Sequence, residues 1–334
     1  MNILLTSVGR RAYMVNYFKD VVNGKVHAVN SEFTYAMEIA DESAISPLIY
    51  DHGYIDFILS YCEKHVISVV LSLFDVDLLV LSRNKVRFQK KNIKLIVSDE
   101  SFISVCSDKY KTYNWLKAIG IKTPNTYLDI YGCLMDIKRE KCTYPVIVKP
   151  RWGMGSIGVY EASDQIELEV FYDKVRKDIA KSYLKYESEA DIEQSVIIQE
   201  KLKGEEYGID VFNNLKGEYL SCVPKRKLAM RSGETDAAVI IEDKKLVELG
   251  RKISLHSKHV ANLDVDCFIV NKEYYVLEMN ARFGGQYPFS HLSGVNYPKV
   301  IIDIVNNCSV SDDCLMPLCN VKGFKNIQPV ILND

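Results

Sequence analysis

No two cysteines in this chain stand at C-x-x-C spacing, and none is grouped with histidines as a zinc site requires. The nine that occur, at 62, 106, 133, 142, 222, 267, 308, 314 and 319, are scattered and odd in number. That pattern fits a reducing compartment and thiols used as small core residues. Long apolar runs are missing too: none reaches the ~18 residues of a membrane helix. Charge of one sign is not in excess, with 42 Lys and Arg against 44 Asp and Glu and a net charge of −2. Composition therefore gives no reason to expect nucleic-acid or membrane binding, and an anion site must be a local cluster of cations. Neither HRD nor DFG occurs, and no Ser-His-Asp or Cys-His nucleophile arrangement is recognisable. Internal repeats and low-complexity tracts are absent. The opening MNILLTSVGRRAY reads as a strand and a basic turn, too short and wrongly flanked for a signal peptide. A cytoplasmic location is the expectation.

What is present is strand–helix alternation over residues 1–106. Strands are predicted at 2–6, 25–29, 68–72 and 94–97, with helices at 11–20 and 54–64. This pattern implies a parallel sheet covered by helices. The first turn, Ser7-Val8-Gly9-Arg10-Arg11, carries paired arginines at a helix start, which suit either an anion or plain solvation. Ser107-Asp108-Lys109 opens a further helix that Gly120 and Pro124 end. A hairpin over 142–162 and a charged helical stretch over 163–193 follow. From 196 to 280 the runs become β, at 196–199, 207–212, 219–223, 265–270 and 274–279, interrupted by a helix over 244–260. That is α+β, with an antiparallel sheet on helices. The tail after about 310 has no clear period.

Three stretches carry chemistry. In VIVKPRWGMGSIGVYEA, residues 146–162, Gly153, Gly155 and Gly158 form a GxGxxG, but the segment after them reads as a strand. A dinucleotide fold would place a helix there. A kinase loop would place its lysine after the glycines, whereas Lys149 precedes them. In VDCFIVNKEYYVLEMNARFGG, residues 265–285, a hairpin folded symmetrically about Lys272 sets Asp266 opposite Glu278, with Asn280 on the same face. Three convergent oxygen-bearing side chains suit a hard cation such as Mg²⁺. In IIQEKLKGEEYGIDVF, residues 197–212, acids flank Gly204. His256 and His259 share a helix spacing, but without a third ligand they read as plain helix surface.

Together, and in this order, the three stretches resemble the ATP-grasp superfamily. Within it the chain is most similar to carbamoyl-phosphate-synthase large-subunit-like proteins and to carboxylate–amine ligases. The resemblance implies a Rossmann-like pre-ATP-grasp domain over 1–106 and two α+β subdomains, 107–200 and 201–310, that clasp ATP. Residues 311–334 stay unassigned. The resemblance also implies that the glycine hairpin, with Gly153, Met154, Gly155, Ser156 and Gly158, is a mobile lid over the ATP phosphates. Lys109 and Lys149 would contact phosphate, Glu200, Lys201 and Leu202 the adenine, and Glu206 the ribose. Asp266, Glu278 and Asn280 would bind Mg²⁺, or Mn²⁺ in its place. Arg282 would face the acyl phosphate, and Arg226 a phosphate or substrate. The activity implied is ATP-dependent joining of a small-molecule carboxylate to an amine through an acyl phosphate, with room for a homodimer. Two alternatives stay open: carboxyphosphate chemistry on bicarbonate, and an ATP-binding protein without catalysis. The chain is far shorter than carbamoyl-phosphate synthase large subunits and has no amidotransferase triad, so nitrogen would come from an amine or a partner.

Overall fold

The structure, a computed structural model, describes residues 1–332 apart from Met154 and Ser156, and without the side chain of Ala190. The described residues build three sheets. The first holds β1 (Asn2–Thr6), β2 (Val26–Asn30), β3 (Glu42–Ile45), β4 (Ile67–Ser72) and β5 (Lys94–Ile96), all parallel, in the order β3-β2-β1-β4-β5. β1, β2 and β4 lie inside it and are almost continuously apolar and buried, as a sheet covered on both faces demands. β3 was not expected: its alternate residues are exposed at the sheet edge, so Glu42-Ser43-Ala44-Ile45 carries no apolar run.

The second sheet is antiparallel and joins β6 (Thr126–Tyr127), β7 (Val146–Pro150), β8 (Tyr160–Ala162) and β9 (Val196–Glu200) in the order β6-β9-β7-β8. The glycine segment connects β7 to β8, as hairpin grammar requires. Gly153, Gly155 and Gly158 all have positive φ, at 104°, 67° and 69°, a region other residues enter only with strain. Met154 and Ser156, read as part of the same loop, lie outside the described residues.

The third sheet holds β10 (Glu205–Asn213), β11 (Tyr219–Arg231), β12 (Glu234–Ile240), β13 (Ala261–Val270), β14 (Glu273–Asn280) and β15 (Lys322–Phe324), in the order β14-β13-β10-β11-β12-β15. β11 runs well past the expected 219–223, and β15, from the unassigned tail, closes the sheet beside β12. One face packs on the helix Lys244–Ser257: Ile209, Val211, Leu263 and Val265 are fully buried there with Leu246 and Ile253. Each such side chain contributes about 1.5–3 kcal/mol. Period two puts the intervening residues of these strands on the opposite face, and those are polar. His259 lies beyond the helix end, fully buried, with both ring nitrogens hydrogen-bonded. Burial lowers its pKa to about 4, so it is a core group and not the surface residue its spacing suggested.

A shared core clamps the first domain to the third sheet. Phe18 meets Phe283 edge-on at 6.3 Å between ring centres, and Tyr17 stacks on His291 at 3.6 Å. The helix Ala12–Lys19 is thereby fixed over the polar face.

Candidate active site

The polar face of the third sheet is set by one register shift. Asn271 and Lys272 both have positive φ, so β13 and β14 close in a two-residue turn of the I′ kind. From that turn Val270 pairs Glu273 and Cys267 pairs Val276. Continued unchanged, this register would place Glu278 opposite Val265, on the helix-packed face. A bulge between Asp266 and Cys267 adds Leu277 to β14 and restores Asp266 opposite Glu278 and Asp264 opposite Asn280. The expected Asp266–Glu278 pairing is therefore present, reached by a tight turn plus a bulge and not by symmetry about Lys272.

Glu206, Gly208 and Asp210 of β10 lie on this face, opposite Phe268, Asp266 and Asp264. β11 contributes Lys225 and Lys227. Lys225 Nζ lies 2.6 Å from Asp210, both side chains fully buried. Lys227 Nζ lies 2.6 Å from Glu206 and 2.6 Å from Asp266, and bridges them. Arg226, the residue chosen from this basic cluster, is on the other side of the strand. It pairs with Tyr207 across the ladder and reaches Glu205 at 3.8 Å near solvent. Period two explains the difference: once Glu206 and Asp266 define the polar face, the odd-numbered lysines of β11 must share it and Arg226 cannot.

Burial drives the charge state of this cluster. The Asp266 carboxyl is pushed up to about 6 by burial, against Lys227 and with repulsion from Asp264 and Glu278. Burial also raises Asp264, but Arg282 and Gln286 outweigh it and hold the carboxyl below its ordinary value. Arg282 is set between Asp75 (Nε to Oδ2, 2.9 Å) and Asp264 (Nη1 to Oδ2, 2.8 Å). Both edges of its guanidinium are engaged, so it ties the first domain to the sheet instead of pointing freely at a substrate. Gly284 allows this packing, because a Cβ there would collide with the Asp264 carboxylate.

Opposite these acids stand the cations of the second sheet. Lys149 is buried at the end of β7 and donates to Gln199 Oε1 at 2.7 Å. Burial and the nearby Lys109 lower its pKa to about 8. Lys109, first residue of the helix Lys109–Ala118, donates to the Gly153 carbonyl at 2.5 Å. Arg151, which the sequence reading did not select, sets the spacing of the two lysines. It makes a two-pronged pair with Asp108 (2.9 and 2.8 Å) and reaches Asp191 at 3.1 Å. Asp108 also caps the lysine-bearing helix by accepting from the backbone of Tyr110 and Lys111.

Between the two walls lies a cleft of about 510 Å³. Lys109, Lys149, Gly153, Gly155, Glu200, Lys201, Leu202, Glu206, Asp266 and Glu278 all line it. The Lys201 ammonium ties the hinge to Glu161 of β8 at 2.6 Å. Ile147, Ile157, Val159, Phe268 and Leu277 add apolar surface to the lining alongside these charged groups. A lining of both kinds suits a ligand that joins a flat apolar base to a polyanionic tail. Asn280 and Arg282 lie outside this cleft, in a smaller cavity of about 260 Å³ that shares Asp266 and Glu278 with it. Glu278 also lines a third cavity, of about 470 Å³, with Tyr50, Tyr186 and Glu187. Gly158 and Arg226 line none of the three.

The donor set fits a hard dication next to phosphate. Asp266, Glu278 and Asn280 present oxygen, and all three line the smaller cavity together. Among the described residues no three His, Cys, Asp or Glu side chains cluster as a self-sufficient metal site. Two carboxylates and an amide suit an ion that takes its remaining oxygens from a nucleotide and water.

Comparison with known families agrees with this geometry. Residues 106–286 match the ATP-grasp domain and residues 3–96 the PylC-like N-terminal domain. The first of these spans over half the chain, and the protein belongs to the ATP-grasp family. Among curated proteins it is similar to the D-alanine–D-alanine ligase of Clostridium botulinum, with 28% identity over 220 residues, 61% of this chain and 68% of that protein. Its fold is shared with biotin carboxylase from Campylobacter jejuni (TM-score 0.74, 17% identity, 95% of this chain and 73% of that one). It is shared as well with an L-amino acid ligase from Bacillus licheniformis (TM-score 0.71, 16% identity, 99% and 81%). No described helix is long and apolar enough to cross a membrane.

Proposed function

We propose that this chain is an ATP-dependent carboxylate–amine ligase working through an acyl phosphate. The observation that carries the reading is the cleft itself. Its walls oppose Lys109 and Lys149 to Asp266 and Glu278 around one polyanion-sized volume. The adenine would lie against the apolar side chains, with backbone groups of Glu200–Leu202 at its edge and Glu206 near the ribose. Lys109, Lys149 and the backbone N–H groups of the glycine loop would hold the phosphates. Asp266, Glu278 and Asn280 would hold Mg²⁺, with Mn²⁺ able to take its place. The metal's contribution is to offset charge on the phosphate oxygens.

In the reaction a carboxylate oxygen attacks the γ-phosphorus, the bond to the β–γ bridging oxygen breaks, and ADP leaves. An amine nitrogen then attacks the acyl carbon. The C–N bond forms, the C–O bond to phosphate breaks, and the nitrogen's proton passes to the released phosphate. The protein contributes position and charge: Arg151 fixes the spacing of the two lysines, and Arg282 fixes Asp264 against the first domain. No nucleophilic side chain is required. Residues 1–106, 107–200 and 201–310 act as the working units, and 311–334 adds an edge strand to the last. The free cysteines suit a cytoplasmic setting. Thermal stability with MgATP, ATP alone and MgNADH tests the cleft, and ADP release with acid and amine tests the chemistry. Greater stabilisation by MgNADH than by MgATP would overturn the reading.

A further inference from the structure

We propose that Arg11 receives the carboxylate of the acid to be activated, and that this acid is a small organic carboxylate. The inference rests on the ligase reading and names one of its two substrates. The 260 Å³ cavity shares Asp266 and Glu278 with the nucleotide cleft, so an acid held in it lies at the phosphate end. Three cations line it, and two are already paired. Lys227 is held by Glu206 and Asp266, and Arg282 by Asp75 and Asp264. Arg11 has no carboxylate partner among the described residues, although Glu234 in the same cavity bears on it electrostatically. Glu234 is itself paired with Lys325 at 3.0 Å. The cavity therefore keeps one guanidinium, with the planar fork that matches a carboxylate, unmatched.

The turn that carries Arg11 is built to present it. Ser7 and Gly9 both have positive φ, 53° and 49°, which bends the chain sharply between β1 and the helix Ala12–Lys19. Phe18 and Tyr17, packed on Phe283 and His291, hold that helix against the third sheet. Tyr13, outside the lining, stands close enough to feel the same charges. Its hydroxyl is buried without a hydrogen-bond partner, and the charges bearing on it, Arg11, Glu234, Arg282 and Asp264, all line this cavity. The volume limits the ligand: 260 Å³ lies below the ~300–1,000 Å³ of drug-sized sites and suits an amino-acid-sized molecule.

The test traps the activated acid with hydroxylamine, which accepts acyl groups as coloured hydroxamates and so removes the need to know the amine. Full-length protein with saturating MgATP is given single acids: acetate, glycine, D- and L-alanine, β-alanine, glutamate and bicarbonate, with glycinamide and alaninamide as carboxylate-free controls. At least one small acid should give hydroxamate and the amides none. Arg11→Gln should raise the KM for that acid about tenfold or more while leaving the KM for MgATP within about twofold. Arg11→Lys, which keeps charge and loses the fork, should fall between, and decides the matter if Arg11→Gln does not fold. Arg10→Gln, at the exposed neighbour, should change neither constant. An unchanged acid KM in the Arg11 variants, or no hydroxamate from any of these acids in a protein that MgATP stabilises, would overturn the inference alone. Absence of MgATP stabilisation in the wild type would remove the ligase reading with it.

Discussion

Lys149 offers a test in which both sign and size follow from its burial. Its pKa falls from the ordinary 10.5 to about 8, through burial and the positive charge of Lys109. At ~1.36 kcal/mol per pH unit, the empty folded protein disfavours this ammonium by roughly 3 kcal/mol relative to the unfolded chain. Between pH 8 and 10.5 the unfolded chain binds more protons at this site than the folded one. Stability from Lys149 therefore rises with pH across that window, and the full cost is present below pH 8. A bound polyphosphate reverses the preference by pairing the ammonium. Nucleotide affinity should accordingly be flat below pH 8 and fall above it, by up to about tenfold per pH unit. Lys149→Met removes the cost but strands Gln199 Oε1, which costs about 1–3 kcal/mol when buried. The net expectation is an apo protein no less stable at pH 7, with a Tm unchanged or raised by up to a few degrees. Its MgATP affinity should be much weaker and no longer fall above pH 8. Isothermal titration and thermal melts from pH 7 to 9.5 measure both. A wild-type affinity independent of pH across that range, or a Lys149→Met protein clearly destabilised at pH 7, would refute the reasoning.

Glu278→Gln should leave stability without Mg²⁺ equal or higher, since it relieves repulsion with Asp266, yet lower ADP release on the order of a hundredfold; Glu273→Gln, which breaks only an exposed pair with Lys122, is the control. Arg151→Leu strands buried Asp108 and should cost about 3–5 kcal/mol by urea denaturation; a loss below 1 kcal/mol would show that the Asp108 clamp is not structural. Lys227→Met leaves Glu206 and Asp266 without their shared cation, and Mg²⁺ should raise the Tm of this variant more than that of the wild type. An equal Mg²⁺ response in both would count against Asp266 as a metal ligand. Hydrogen exchange at Gly153, Gly155 and Gly158 should slow when MgATP is added, and equal protection in both states would exclude a closing lid.

Much of this architecture is legible in the sequence wherever local pattern and burial agree. β1, β2 and β4 are apolar because both faces of a parallel sheet are covered, and the helix Tyr54–Lys64 has the bounds its apolar period implies. The hairpin reading of the glycine segment follows from the strand after Gly158. β3 escapes notice because an edge strand buries only alternate residues. The far half of β11, Ala229–Arg231 among it, escapes because its side chains are exposed and carry no apolar alternation, and the Pro224–Lys227 stretch before it looks like a solvated basic turn.

The site divides along the same line. The placement of residues fixed by their own strand, such as Lys149 and Asp266 on the cleft walls, follows from motif and period. That of residues fixed by another element does not. Choosing between Arg226 and Lys227 needs the register of β10 against β11, and the value of Arg151 depends on Asp108, 43 positions away. The bulge at Leu277 marks the limit of period-two reasoning. A tight Asn271-Lys272 turn alone would have buried Glu278 beside Val265, and one extra residue returns it to the acids. The face Glu278 occupies is thus set by Leu277 being left out of the pairing, not by the chemistry of its side chain. Deleting Leu277 would leave Val276 opposite Cys267 and join Glu278 directly to it opposite Asp266, with Asn280 still opposite Asp264, so the ladder becomes unbroken and the acids keep one face; what would turn Glu278 toward Val265 is pairing Leu277 with Asp266.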